Sequence, residues 1–304
     1  MALDVQLGVS PASWMSDELP WLGAETPVPV ALSEARRIGY QGIELSGRFP
    51  QDPAALRDLL ATHGLACAAG RYHGQLSARP VEEELPGALA QLPLLEAGGA
   101  RVLLYGEARG SIRARAEVPF FKRPCLRGDD AWRTFGERLT ALARQLLARG
   151  VRLACRHQVG TCLEAAEDVD RLVKATGPEV GLALDTAQAS LGGADPLELL
   201  ERHGDRVCHV HLSDLRPAVV RMARNCRWSY PQAVLRGALT VPGDGALDFS
   251  RLLAALDRLG YRGWLVVEAA QDPAVAPAHA FAEKGFRHVQ DLLGQLGARP
   301  REAA

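Results

Sequence analysis

Short apolar runs alternate along this chain with longer segments whose apolar residues recur at every third and fourth position. Eight such runs, at 5–10, 42–46, 65–70, 101–106, 151–156, 180–185, 207–212 and 263–268, have the length and composition of buried strands. The segments between them, such as "AWRTFGERLTALARQLLARG", carry helical periodicity, and several end in glycine, where a helix hands over to the next strand. A regular β-then-α succession predicts a closed parallel (β/α)8 TIM barrel, occupying 1–304 as one domain. An open doubly wound sheet fits less well, because no G-x-G-x-x-G follows the first strand, and no nucleotide cofactor is expected. Two insertions interrupt the alternation, near 107–130 and 213–248. Both follow strand ends on the side where a barrel assembles its active site.

Composition narrows the function without choosing it. With 47% hydrophobic residues, 23% charged residues and a formal net charge of −1, the chain lacks the basic excess that binds nucleic acid or an anionic membrane. No apolar run reaches the length that spans a bilayer, and the N-terminus lacks the basic start of a secretory signal. The six cysteines show no C-x-x-C pairing, which predicts reduced thiols and a cytoplasmic protein, with Cys67, Cys155 and Cys208 packing in the core.

The strand ends carry the chemistry. Reading them in order gives Glu44, Tyr72 with His73, Glu107, Arg156 with Gln158, Asp185, His209 with His211, and Glu268. Apolar strands that end in carboxylates and imidazoles are hard to explain by packing, since an unpaired buried charge costs several kcal/mol. Asp185, His211 and Glu268, from the last three strands, suit a divalent cation; an ion network that merely closes the barrel top would use the same residues. His209 lies two residues deeper than His211, while His63, His203, His279 and His288 read as surface or capping residues.

The blocks "VHLSDLRP" (210–217), "VPGDGALDF" (241–249) and "GYRGWLVVEAAQDP" (260–273), with "SWMSDELPWLG" (13–23), "GIELSGRFP" (42–50) and "VLLYGEARGSI" (102–112), resemble the inosose dehydratases of the sugar phosphate isomerase/epimerase superfamily, which are xylose isomerase-like TIM barrels. The resemblance covers essentially the whole chain. It implies dehydration of a keto-cyclitol of the 2-keto-myo-inositol type, with a Mn- or Co-type ion on Asp185, His211 and Glu268. Chemically, an ion gripping the ketone stabilises the enediolate formed on α-proton loss, and a general acid then helps the β-hydroxyl depart. Glu44, Glu107, Asp214 and Arg216 match pocket positions; Glu44, Glu107, Arg156 and Glu268 are expected to be catalytic, and Trp14, Arg71, Tyr72, His73, Gln158, Gln188, Asp214 and Arg216 to contact substrate.

The departures from the family pattern fall in the site. An H-H-H-M-G-T becomes "RHQVGT" (156–161), D-T-G-H becomes "DTAQ" (185–188), H-V-H-x-K-D becomes "HVHLSD" (209–214) and G-W-Y-S-G becomes "GRYHG" (70–74). A guanidinium cannot coordinate a cation, so Arg156 either replaces the ion between Asp185 and Glu268, or turns aside to substrate while His157 or water completes the coordination. Strand alternation places His157 outward, against the second reading. An isomerase or epimerase working through an enediolate, and a polyol-binding paralogue without activity, are the competing functions. The aromatic patch at Trp228 and Tyr230 suggests a homodimer in which one copy seals the other's pocket.

Overall fold

The computed structural model describes residues 3–297. Its strands are β1 (Asp4–Val9), β2 (Gly42–Ile43), β3 (Ala66–Cys67), β4 (Gly70–Gly74), β5 (Val102–Glu107), β6 (Arg152–Arg156), β7 (Val180–Asp185), β8 (Val207–Leu212), β9 (Asp214–Leu215), β10 (Leu239–Thr240) and β11 (Arg262–Val267). Nine of them form one parallel sheet in the order β3-β2-β1-β11-β8-β7-β6-β5-β4. Its two ends are two pieces of the same barrel stave. β3 pairs with β2 and β4 with β5, and the two alanines between them still bond across, Ala68 N–H to the Ile43 carbonyl at 2.9 Å and Leu45 N–H to the Ala69 carbonyl at 3.0 Å. The expected eight staves are therefore present, each strand within a residue or two of its sequence reading except the second, which ends at Ile43, and the third. That stave was read as 65–70, but it re-forms over Gly70–Gly74 and so carries Arg71, Tyr72 and His73.

The strands are apolar on both faces because helices cover the outside and side chains fill the inside. Val5, Leu7, Val9, Leu103, Leu153, Leu265 and Val267 are all buried. Trp264 needs glycine beside it: a Cβ at Gly42 would stand 2.5 Å from its ring, and one at Gly8 3.1 Å. Among the described residues no helix is long and apolar enough to cross a membrane.

The second insertion folds into helices Pro217–Asn225 and Tyr230–Leu235 with an antiparallel β9–β10 ribbon. Tyr230, Ala233, Val234 and Leu239 form a separate apolar cluster with Leu19 and Leu22 of the β1 loop and Phe120 of the first insertion. Loops that are far apart in sequence thus share a small core of their own.

Candidate functional site

Three carboxylates, two imidazoles and two guanidinia converge at the C-terminal ends of the strands. Glu44, just past β2, is fully buried; one oxygen accepts from His209 Nε2 at 2.8 Å and His211 Nε2 at 2.6 Å, and the other from Arg71 at 2.5 Å. Burial alone would raise its pKa, but the charges of His211 and Arg71 outweigh it and hold the carboxyl well below its usual range. An ionised Glu44 only accepts, so both Nε2 atoms carry their protons; against the desolvation of burial, the charges of Glu44 and Glu268 raise the His211 pKa, which favours a proton on its Nδ1 as well, one that an ion would have to displace. His211 Nδ1 is buried without a hydrogen-bond partner and lies 3.9 Å from Asp185 Oδ2.

Asp185 is oriented by its neighbours. Its Oδ1 accepts from Ser213 Oγ at 2.5 Å and from the backbone N–H of Gln188 at 3.1 Å, where it caps the helix Thr186–Leu191. Ser213, at the position of the family's lysine, therefore turns Asp185 Oδ2 towards the centre. There it lies 3.8 Å from Arg156. Glu268, immediately after β11, receives Arg156 at 3.5 Å, Arg71 at 3.3 Å and His211 Nε2 at 3.6 Å. Burial raises its pKa, and the surrounding cations His211, Arg156 and Arg71 more than reverse this.

The donor set fits a divalent ion. Asp185, His211 and Glu268 each offer one atom, all within 4.8 Å of one another, and His211 Nδ1, which has no hydrogen-bond partner, becomes a neutral donor once its proton is displaced. Arg156, 4% exposed, is the departure. It reaches Glu268 at the outer limit of a hydrogen bond and Asp185 only as a longer ion pair. It lies against these ligands without locking them together, and its own Nε is unpartnered. His157 cannot act as the missing ligand, since its Nε2 accepts the Asp185 backbone N–H at 3.3 Å. It is also buried, with its Nδ1 unpartnered.

Several expected contacts lie elsewhere. Tyr72 alternates away from Arg71 and His73 and donates to Glu84 at 2.8 Å. Both Glu107 oxygens are taken, by the Ser77 backbone and hydroxyl, the Tyr105 hydroxyl and the Arg109 N–H. Trp14 is buried in the core with its indole N–H on Glu34 at 2.6 Å. Asp214 accepts from the backbone N–H groups of Gly245, Ala246 and Leu247 and so pins the PGDG turn, while Arg216 holds Thr240, Asp244 and the Gly237 carbonyl. Gln188 is bound on both ends of its amide, by Arg113, Val159 N–H and Tyr230. Tyr230 is itself buried and Trp228 is half-buried under Arg236, so the patch expected to meet a second copy is largely covered within the chain.

Sequence reasoning missed Arg113 and Glu18. From the first insertion, Arg113 donates to both Glu18 oxygens at 2.9 and 2.7 Å, to the Val159 carbonyl at 2.8 Å, to Gln188 at 3.0 Å and to the Tyr230 hydroxyl at 2.7 Å. Burial would raise the Glu18 pKa, but the charge and hydrogen bonds of Arg113 bring it down to about 2. Beside this clasp, a cavity of about 400 Å³ opens between the β2 and β4 ends, lined among others by Asp17, Ser46, Gln51, Arg71 and His73.

Known proteins agree with this architecture. The xylose isomerase-like TIM barrel family model matches residues 32–292. The chain is 41% identical over 297 residues to the rhizopine catabolism protein MocC of Rhizobium meliloti, covering 98% of this chain and 91% of that one. It is 34% identical to the inosose dehydratase of Geobacillus thermodenitrificans, covering 95% and 98%. Among solved structures, the IOLI protein with a bound zinc atom superposes with a TM-score of 0.68 at 15% identity, covering 96% of this chain and 99% of that one. The chain belongs to the xylose isomerase-like TIM barrel family, alongside inosose dehydratases related to it over nearly its whole length.

Proposed function

We propose that this protein is a hydro-lyase of the inosose dehydratase type, taking a keto-cyclitol such as 2-keto-myo-inositol to a cyclic dione. The observation that carries the reading is the meeting of Asp185, Glu268 and the unpartnered Nδ1 of His211 with two guanidinium groups in one buried cluster beside an open cavity. A divalent ion of Mn or Co type on Asp185, His211 and Glu268 would supply Lewis-acid polarisation of the substrate ketone.

The chain's own residues do the rest. Glu44 accepts from His209 and His211 through their Nε2 atoms and so leaves His211 Nδ1, beside Asp185, as the ring nitrogen available to an ion. Ser213 holds the Asp185 carboxylate in the complementary orientation. Arg156 and Arg71 place fixed positive charge where a ketone oxygen becomes an enolate oxygen, in a site with little water to screen it. Asp17, Ser46 and Gln51 offer the cavity side of a hydroxylated ring its polar partners. The test is direct: incubate the purified protein with 2-keto-myo-inositol, with and without added Mn, and follow dione formation. No turnover under either condition would defeat the reading.

A further inference from the structure

Removing a proton next to a ketone needs a base that is unpartnered, open to substrate and unprotonated. The carboxylates at the mouth do not meet that description; Asp17, in the cavity wall, accepts from the Ser46 hydroxyl and the Gly47 N–H. Glu44 carries three donors, Glu107 four, and Glu18 is clasped by Arg113 through both oxygens. Glu268 faces Arg71, Arg156 and His211, and Asp185 is bound to Ser213 and to the Gln188 N–H. His157 and His209 have free ring nitrogens, but they are buried at 3% and 0% exposure.

His73 is different. It follows Arg71 by two residues in β4, so the two share a face, and both line the same cavity. Arg71 already reaches Glu44, Glu268 and Ser10, which fixes that face as the one turned into the barrel mouth. His73 stands one step further out, is exposed, and has no hydrogen-bond partner among the described residues. Its ring is nonetheless positioned: a Cβ on Gly106 would come within 3.0 Å of His73 Nδ1 and 3.2 Å of Gln158 Oε1, so the bare glycine is what lets the imidazole lie there.

We propose that His73 is the general base of the reaction. The claim rests on the dehydratase reading above. The C–H bond next to the ketone breaks, its electron pair forms the new C=C bond, and the carbonyl π pair moves onto the oxygen faced by Arg156 and Arg71. The proton goes to the imidazole. When the enolate collapses, the β C–O bond breaks, and the departing hydroxyl takes that proton from the imidazolium and leaves as water, so no other reactant is needed. The charged groups facing the ring favour its neutral form. Partial desolvation by the walls comes first, Arg156, Arg71 and Arg113 add to it, Glu18 alone opposes them, and the pKa is lowered.

The experiment follows α-proton exchange of 2-keto-myo-inositol in D2O by NMR, together with dehydration, for the wild type, His73→Asn and Gly106→Ala. The expected result is a loss on the order of a hundredfold or more in both rates for His73→Asn with KM unchanged, and recovery on adding free imidazole. In the wild type kcat/KM should fall on the acid side as the imidazole protonates, and this limb should vanish in His73→Asn. Gly106→Ala, which keeps the imidazole but displaces it, should lose exchange with the acid limb still present. An active wild type whose His73→Asn form keeps both its rate and its acid limb would overturn the assignment and leave the dehydratase reading standing. A wild type that neither exchanges nor dehydrates would overturn both.

Discussion

Replacing Arg113 with methionine should loosen the mouth of the barrel while sparing the barrel itself. Five hydrogen bonds disappear, two of them to Glu18. The Glu18 carboxyl is lowered from 4.5 to about 2 despite its burial, and at roughly 1.4 kcal/mol per unit that difference sets a ceiling of about 3 kcal/mol on its net contribution to stability. Its side chain is 27% exposed, so solvent screening reduces the ceiling to about 2 kcal/mol. The Val159 carbonyl, the Gln188 amide and the Tyr230 hydroxyl then lose a donor at roughly 1 kcal/mol each, giving a total on the order of 3–5 kcal/mol. Urea unfolding of the wild type, Arg113→Met, Glu18→Gln and the double variant would isolate the pair in a thermodynamic cycle. The pH dependence has a definite sign. A depressed carboxyl stabilises above its unfolded value of about 4.5 and loses that contribution as pH falls towards 2, so the wild type should hold to lower pH than Arg113→Met. A cost below about 1 kcal/mol, or a coupling energy near zero, would refute the reasoning.

Two further outcomes test other parts of the molecule. Converting Arg156 and Gln158 together to histidine exchanges a fixed positive charge beside Asp185 and Glu268 for neutral donors, and should tighten Mn or Co binding at least about tenfold by calorimetry; unchanged binding would mean that Arg156 does not oppose the ion. Glu164 sits in a site where burial raises its carboxyl to about 7 against the Gly160 N–H and Arg123, so its contribution is most favourable below about pH 4.5 and declines as pH rises to 7. Glu164→Gln should therefore raise the thermal midpoint relative to wild type at pH 8 and not at pH 4, and an equal difference at both would contradict the assignment.

The barrel was legible because its signal is local and repeated: each strand announces itself by a run of apolar residues, and each helix by its period. The third stave was misread at Ala68 and Ala69, between its two pieces, since two small residues mark neither a turn nor a strand end. The centre was legible too, because Glu44, Asp185, His211 and Glu268 terminate otherwise apolar runs. Assigning contacts by motif position failed more often. Asp214 and Arg216 stand beside the site residues in sequence, but they spend their hydrogen bonds on the β9–β10 turn. Arg113 and Glu18 were invisible for the opposite reason. They are 95 positions apart, and Arg109, Arg113 and Arg115 look alike in an arginine-rich loop until the fold turns one of them inward.

The Arg113 clasp also bears on how such a site changes over time. One side chain from the loop after β5 grips those after β1, β6, β7 and β8, so they are not free to vary one by one. A substitution tolerated in any of them depends on what the other four carry, and effects measured singly should not add. Variation in chemistry is then channelled to positions outside the grip. Arg71 and His73, on the stave across the cavity, are two such positions.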